Sequence, residues 1–211
     1  AFYKCTGLRA VTFGESLQTI GSKAFYGCSA LEAVSLPATV TEIGSYAFYR
    51  CIAIASLELG GTVRVGDSAF LGCVGIRQLI LPDSLRGIGK QSFRGCVGLS
   101  SLVIPATVES VGAHAFYGCP NLTLFLEAEE TPDGFDERWN SSYRPVVLGT
   151  AVGEDGTVSF VIGAGNPKNL NQSNVLTAPG KEGMTLAGWS TVPDASSAEY
   201  TPGNVKNAPD G

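Results

Sequence analysis

The chain has 211 residues, with 14 Lys and Arg against 19 Asp and Glu, a single histidine and a formal net charge of −5. No run of 18 apolar residues occurs, so no segment reads as a membrane-spanning helix. The acidic balance, and the lack of a basic stripe on the repeated strands, argue against a nucleic-acid partner.

From the first residues onward the chain is periodic. Phenylalanine recurs at Phe2, Phe25, Phe48, Phe70, Phe93 and Phe116, at intervals of 23, 23, 22, 23 and 23 residues. A cysteine follows each one three residues later, at Cys5, Cys28, Cys51, Cys73, Cys96 and Cys119, so all six cysteines obey one period. Self-similarity at this spacing predicts a solenoid whose coils bury their apolar sides against one another. Within a unit such as Ala24 to Tyr46, the alternation Val34-Ser35-Leu36 predicts a short strand with one buried face, ended by Pro37. Val40 and Ile43 then lead to Gly44, which suits the turn into the next coil and is expected to need a positive φ. The Ala-Phe-x-x-Cys piece predicts a single helical or 3₁₀ turn with Phe and Cys on one side. Each coil should thus carry one strand and one tight turn.

The pattern A-F-x-x-C-x-x-L-x-x-V-x-L-P-x-x-V-x-x-I-G resembles the BspA-like leucine-rich repeat family of bacterial surface proteins over residues 1–126. The resemblance implies an α/β-type leucine-rich repeat solenoid, right-handed, built mostly of short parallel strands with single helical or 3₁₀ turns. It implies a cell-surface or secreted location and a binding role, with a passive stalk as the alternative.

The cysteine column reads as a buried ladder of free thiols. Metal knuckles need short spacings such as C-x-x-C, which are absent. A disulfide fits poorly, because equivalent side chains in stacked coils run parallel at strand spacing. His114 falls in the column Lys23, Tyr46, Ser68, Gln91, expected to face solvent and out of reach of any thiol. No nucleophile–base pair, metal cluster or phosphate loop is legible, so no enzyme activity and no cofactor are expected.

Two variable columns offer candidate partner-binding residues. The outward strand positions are Thr12, Ser35, Glu58, Ile80, Val103 and Phe125, flanked by a column that includes Arg77. Ile80, Val103 and Phe125 would form an exposed apolar strip able to meet an extracellular protein or glycan, unless the following segment covers it. The residue after each repeat Phe gives Tyr3, Tyr26, Tyr49, Leu71, Arg94 and Tyr117; these tyrosines either anchor a ligand or shield the seam between coils, and their fidelity to the period favours the second role.

After the last repeat the charge reverses: nine basic against seven acidic residues over 1–126 become five against twelve over 127–211. The acidic group Glu127, Glu129, Glu130, Asp133, Asp136 and Glu137 has no ordered calcium-loop pattern and reads as solvated surface. Phe135, Trp139 and Tyr143, spaced by four, predict an aromatic face on a helical turn within a cap of residues 127–149. Gly134-Phe135-Asp136, Trp139-Asn140 and Pro145-Val146-Val147 resemble the closing segment that follows BspA-like repeats. Asp155-Gly156 between two short apolar runs predicts a hairpin. Residues 163–168 lack the third glycine of a dinucleotide loop. Pro179-Gly180, Leu186-Ala187-Gly188-Trp189, Pro193-Asp194 and Tyr200-Thr201-Pro202-Gly203 resemble the internalin-type B-repeat, a small β-grasp-like module, expected here in partial form over 150–211. Both ends read as cut, as in an internal portion of a larger protein.

Overall fold

The computed structural model describes residues 1–149 and the backbone of two further short strands. The second to fifth coils each contribute two strands rather than the expected one, and like strands pair in parallel down the stack. One sheet runs β1 (Thr19–Ile20), β3 (Glu42–Ile43), β5 (Arg64–Val65), β7 (Gly87–Ile88) and β9 (Ser110–Val111). It is made by the Val-x-x-Ile-Gly portion of the repeat, whose strands are only two residues long. The strands predicted from the Val-x-Leu alternation also form: β2 (Ala33–Ser35), β4 (Ser56–Glu58) and β6 (Gln78–Ile80) pair in one run, and β8 (Ser101–Ile104), β10 (Thr123–Leu126) and β11 (Val146–Val147) in another, with β8 beside β6. Past the stack, Ala151–Val152 (β12) and Val158–Ser159 (β13) pair antiparallel, as the hairpin signal predicts. The remainder of 150–211, including the B-repeat segment, lies outside the described residues.

No helix occurs among the described residues, which corrects the expected helical or 3₁₀ turn. The cause is the way the backbone amides are shared. In the second coil the amides of Ala24, Tyr26 and Cys28 bond locally to the carbonyls three residues back, whereas those of Lys23, Phe25 and Gly27 bond to Ser45, Ala47 and Tyr49 of the next coil. Alternate amides are therefore given to the neighbour, and a helix cannot propagate. Keeping that alternation sets two residues per coil in the left-handed region. Lys23, Tyr46, Ser68, Gln91 and His114 form one such column, with φ between 55° and 59°; Gly27, Arg50, Gly72, Gly95 and Gly118 form the other.

The core is a set of ladders. The six repeat Phe rings stack at centroid distances of 5.1 to 5.9 Å, nearly parallel from Phe25 onward. Burying each of the five rings from Phe25 to Phe116 is worth about 1.5–3 kcal/mol, whereas Phe2 is 42% exposed. Gly44, Gly66, Gly89 and Gly112 lie where a Cβ would stand 2.5 to 2.7 Å from backbone atoms of the preceding coil. Close approach, rather than the expected positive φ, fixes glycine there. The 22-residue coil loses its residue at the corner after Leu59: Gly60-Gly61 replaces the Pro turn, and Thr62 fills the buried slot that Val40 and Leu85 occupy in neighbouring coils. Its hydroxyl is satisfied by the Leu59 carbonyl.

Residues 127–149 continue the same logic. Asp136 N donates to Val111 O at 2.8 Å, His114 N to Arg138 O at 2.9 Å and Leu124 N to Pro145 O at 2.8 Å, so this segment lies on the last repeat as a further, irregular coil. Trp139 meets Phe116 edge-on at 6.4 Å and Phe135 at 5.1 Å. Phe135 and Trp139 are buried, but Tyr143 is 77% exposed, so the expected aromatic face holds two rings, not three. The chain here runs through turns, and four-residue spacing does not align side chains without a helix.

Candidate functional site

The outward positions of the strand sheet are held in register by parallel pairing: Ser35 lies beside Glu58 and Glu58 beside Ile80, while Val103 lies beside Phe125. Glu58 is exposed and its carboxylate accepts a hydrogen bond from the Ser35 hydroxyl. Arg77 is exposed at the head of β6, and Ile80 at its end remains 44% exposed, an unusual position for an isoleucine mid-sheet. Val103 is half-buried. Phe125 is wholly buried, so the three-residue exposed strip does not exist. The reason lies in the closing strand: β11 places the buried Val147 in register beside Phe125, and all four residues of β10 are shielded on both faces. The structure therefore sets Glu58 and Ile80 side by side and exposed, keeps Arg77 exposed three residues ahead of Ile80 at the head of the same strand, and removes Phe125 from this face. The Arg9–Glu32 ion pair on the flanking column, 3.3 Å long between highly exposed side chains, adds little.

Tyr3, Tyr26 and Tyr49 form a second ladder outside the Phe stack, with centroids 4.9 and 4.5 Å apart and rings within 20° of parallel. Their faces cover one another, leaving ring edges and hydroxyls toward solvent. Desolvation, reinforced by the neighbouring Tyr49, raises the Tyr26 pKa. Where the column departs from tyrosine, Arg94 lies over the ring of Tyr117 at 5.1 Å. Tyr117 is separated from the Tyr26–Tyr49 pair by Leu71 and Arg94, so the named tyrosines form two sites, not one.

The thiols are structural. Cys28, Cys51, Cys73, Cys96 and Cys119 are buried, and each Sγ donates to the carbonyl of the Phe one coil back, at 3.0 to 3.3 Å. Desolvation pushes Cys51 up to about 12, with the neighbouring Cys28 thiol adding to it, and Cys119 up to about 11; Cys73 and Cys96 are driven well above the ordinary thiol value. Such groups stay protonated and are poor nucleophiles. Cys5, in the first coil, is exposed and departs from the expected ladder of six. All are free of disulfides. His114 Nδ1 lies 2.6 Å from Ser141 Oγ and its ring meets Tyr117 edge-on, so it serves the last coil and not a thiol. Its column is less exposed than expected, since Ser68 is buried. Among the described residues no three His, Cys, Asp or Glu side chains converge as metal ligands.

Sequence reasoning missed one apolar column: Ile52, Val74 and Val97, each following a core cysteine, are 42 to 45% exposed. The signal was available, since the residue after the cysteine is Thr6 and Ser29 in the first two coils and apolar in the later ones.

Comparison with known proteins agrees with this geometry. Residues 1–123 match the BspA type leucine rich repeat region in six copies. Among solved structures, the leucine rich repeat protein of T. pallidum is 35% identical with a TM-score of 0.54, over 56% of this chain and 58% of that one. A leucine-rich repeat protein from Bacteroides ovatus is 31% identical with a TM-score of 0.54, over 58% of this chain and 32% of that one. A leucine rich cell surface protein from Faecalibacterium prausnitzii is 27% identical with a TM-score of 0.52, over 62% and 34%. This chain thus spans between about a third and three fifths of those chains. No functionally curated protein matches it.

Proposed function

Because the chain belongs to the BspA-type leucine-rich repeat family, we propose that it is part of a bacterial cell-surface protein that binds an extracellular protein or glycan of a host or neighbouring cell through its repeat solenoid. The F. prausnitzii relative, a cell surface protein, supports the location. The observation that carries the binding role is Ile80, an isoleucine 44% exposed on a regularly paired strand, beside the exposed carboxylate of Glu58 and with the exposed Arg77 at the head of the same strand. An apolar centre rimmed by charge suits a protein contact, and the repeat geometry extends it over several coils. The residues of this reading are Glu58, Arg77 and Ile80, with Val103 at the margin.

The second reading is a stalk that holds other modules away from the cell. The ladders of Phe and Cys favour it, since those columns serve stacking alone. The two readings separate on binding of the purified chain to arrayed extracellular-matrix proteins and glycans, beside an Arg77→Glu, Ile80→Asp variant with unchanged circular dichroism. Saturable binding lost in the variant supports the strand face; absence of binding to every target supports the stalk.

A further inference from the structure

Charge on the solenoid is segregated by face. The turn side of the coils, residues 1–6, 21–29, 44–52, 66–74, 89–97 and 112–120, carries Lys4, Lys23, Arg50, Lys90 and Arg94 against a single acid, Asp67. Every other acid of the repeats lies on another side. Asp67 is itself occupied, its carboxylate accepting the backbone amide of Lys90 at 2.8 Å. None of the five cations pairs with a carboxylate among the described residues, whereas Arg9 and Arg86 on other sides do. Three of them are instead laid over tyrosine rings. Lys4 lies 5.5 Å over Tyr3, Lys23 5.9 Å over Tyr46 and Arg94 5.1 Å over Tyr117. The stem of Arg50 passes next to Gly72 of the following coil, where a Cβ would stand 3.3 Å from its Cγ, so the side chain runs along the stack axis.

We propose that this turn face binds a linear acidic polysaccharide laid along the stack, its carboxylate or sulfate groups meeting Lys4, Lys23, Arg50 and Arg94 while its hydroxyls bond the row of tyrosine hydroxyls. Three observations select this chemistry. The uncompensated cations call for a polyanion, on a chain whose net charge of −5 would otherwise repel one. The tyrosine rings of the first three coils repeat at 4.5 to 4.9 Å, the strand spacing of the stack, so their hydroxyls form a regular row that a hydroxyl-bearing polymer lying along the stack can meet. An extended peptide repeats its side-chain direction every ~6.7 Å and falls out of step within two coils. A single-stranded nucleic acid needs open aromatic faces for its bases, and here those faces are closed by ring-on-ring stacking. This surface is distinct from the strand face around Ile80 and does not depend on it.

The positions permit substitutions that keep the fold. Arg50 occupies a left-handed site that glycine fills in four other coils, and glutamine stands in the Lys23 column at Gln91. The test is titration of the full chain with heparin fragments and with oligogalacturonate, beside neutral dextran and poly-glutamate of matched charge. The expected result is saturable binding of at least one acidic polysaccharide that weakens with salt, since exposed charges are screened within about 10 Å at 0.1 M. Arg50→Gly with Lys23→Gln should lower the affinity about tenfold. Tyr26→Phe with Tyr49→Phe, which keeps the ring ladder and deletes the hydroxyls, should weaken it several-fold. Ile80→Asp should leave it unchanged, so failure here and failure of the strand-face reading are told apart. Absence of binding to both polysaccharides, equal binding of poly-glutamate or dextran, or indifference to both double variants would each overturn the proposal.

Discussion

The carbonyl oxygen of Phe25 accepts two hydrogen bonds, one from the amide of Cys28 in its own coil at 3.1 Å and one from the thiol of Cys51 in the next coil at 3.1 Å. The cysteine thus does more than fill space: it ties one coil's turn to the carbonyl of the coil before it. A polar thiol reagent should label Cys5 rapidly in the native state and the other five only on denaturation. Labelling of Cys73 or Cys96 at the rate of Cys5 would contradict the ladder.

Raised thiol pKa values make stability depend on alkaline pH. A thiol whose folded-state pKa lies above its unfolded value near 9 holds its proton in the fold, so its contribution is complete below pH 9 and declines as pH rises toward about 12. Denaturant midpoints should therefore fall between pH 9 and 11. The fall should be shallower in Cys73→Ala than in the parent chain, because one proton-linked group has been removed. An identical slope in both would place the linkage elsewhere.

Gly112→Ala sets a Cβ 2.5 Å from the amide nitrogen of Lys90, where only backbone can give way, and should cost about 1–3 kcal/mol or more. Gly21→Ala is the matched control, since nothing lies within 4 Å of its Cβ. Urea midpoints that moved equally in both would refute the close-approach account.

Trp139→Ala should cost about 3–5 kcal/mol and open the stack from the C-terminal end. Hydrogen exchange should quicken first at the Leu124 amide, which is bonded to Pro145, and last at the amides of the second and third coils. Uniform loss of protection would indicate a single cooperative unit.

The core columns of Phe, Cys and Leu were legible because each repeats one residue type at one spacing. The second sheet was not, since a two-residue strand such as Glu42–Ile43 is too short to display alternation. The helical expectation failed because Phe-x-x-Cys spacing fits a turn bonded to its neighbour as well as one bonded to itself; the sign was Lys23, Tyr46, Ser68, Gln91 and His114, polar or aromatic residues at a left-handed position. Phe125 was misplaced because inward and outward cease to differ once β11 extends the sheet past it. The basic turn face was hidden by its distribution: Lys4 and Arg50 share one column, Lys23 lies in another, and Lys90 and Arg94 in two more. Its coherence appears only when the columns are brought side by side.

The shortened corner at Gly60-Gly61 absorbs a deletion without disturbing either neighbour's strand pairing, since Glu42 still meets Arg64 and Arg64 still meets Gly87. The corner keeps its glycines because a Cβ at Gly61 would stand 2.0 Å from the Ala38 carbonyl of the preceding coil, whereas whole coils can be gained or lost without inventing a new contact. Reach is then a quantity that lineages can adjust by duplication alone, while the chemistry displayed on each face changes one column at a time.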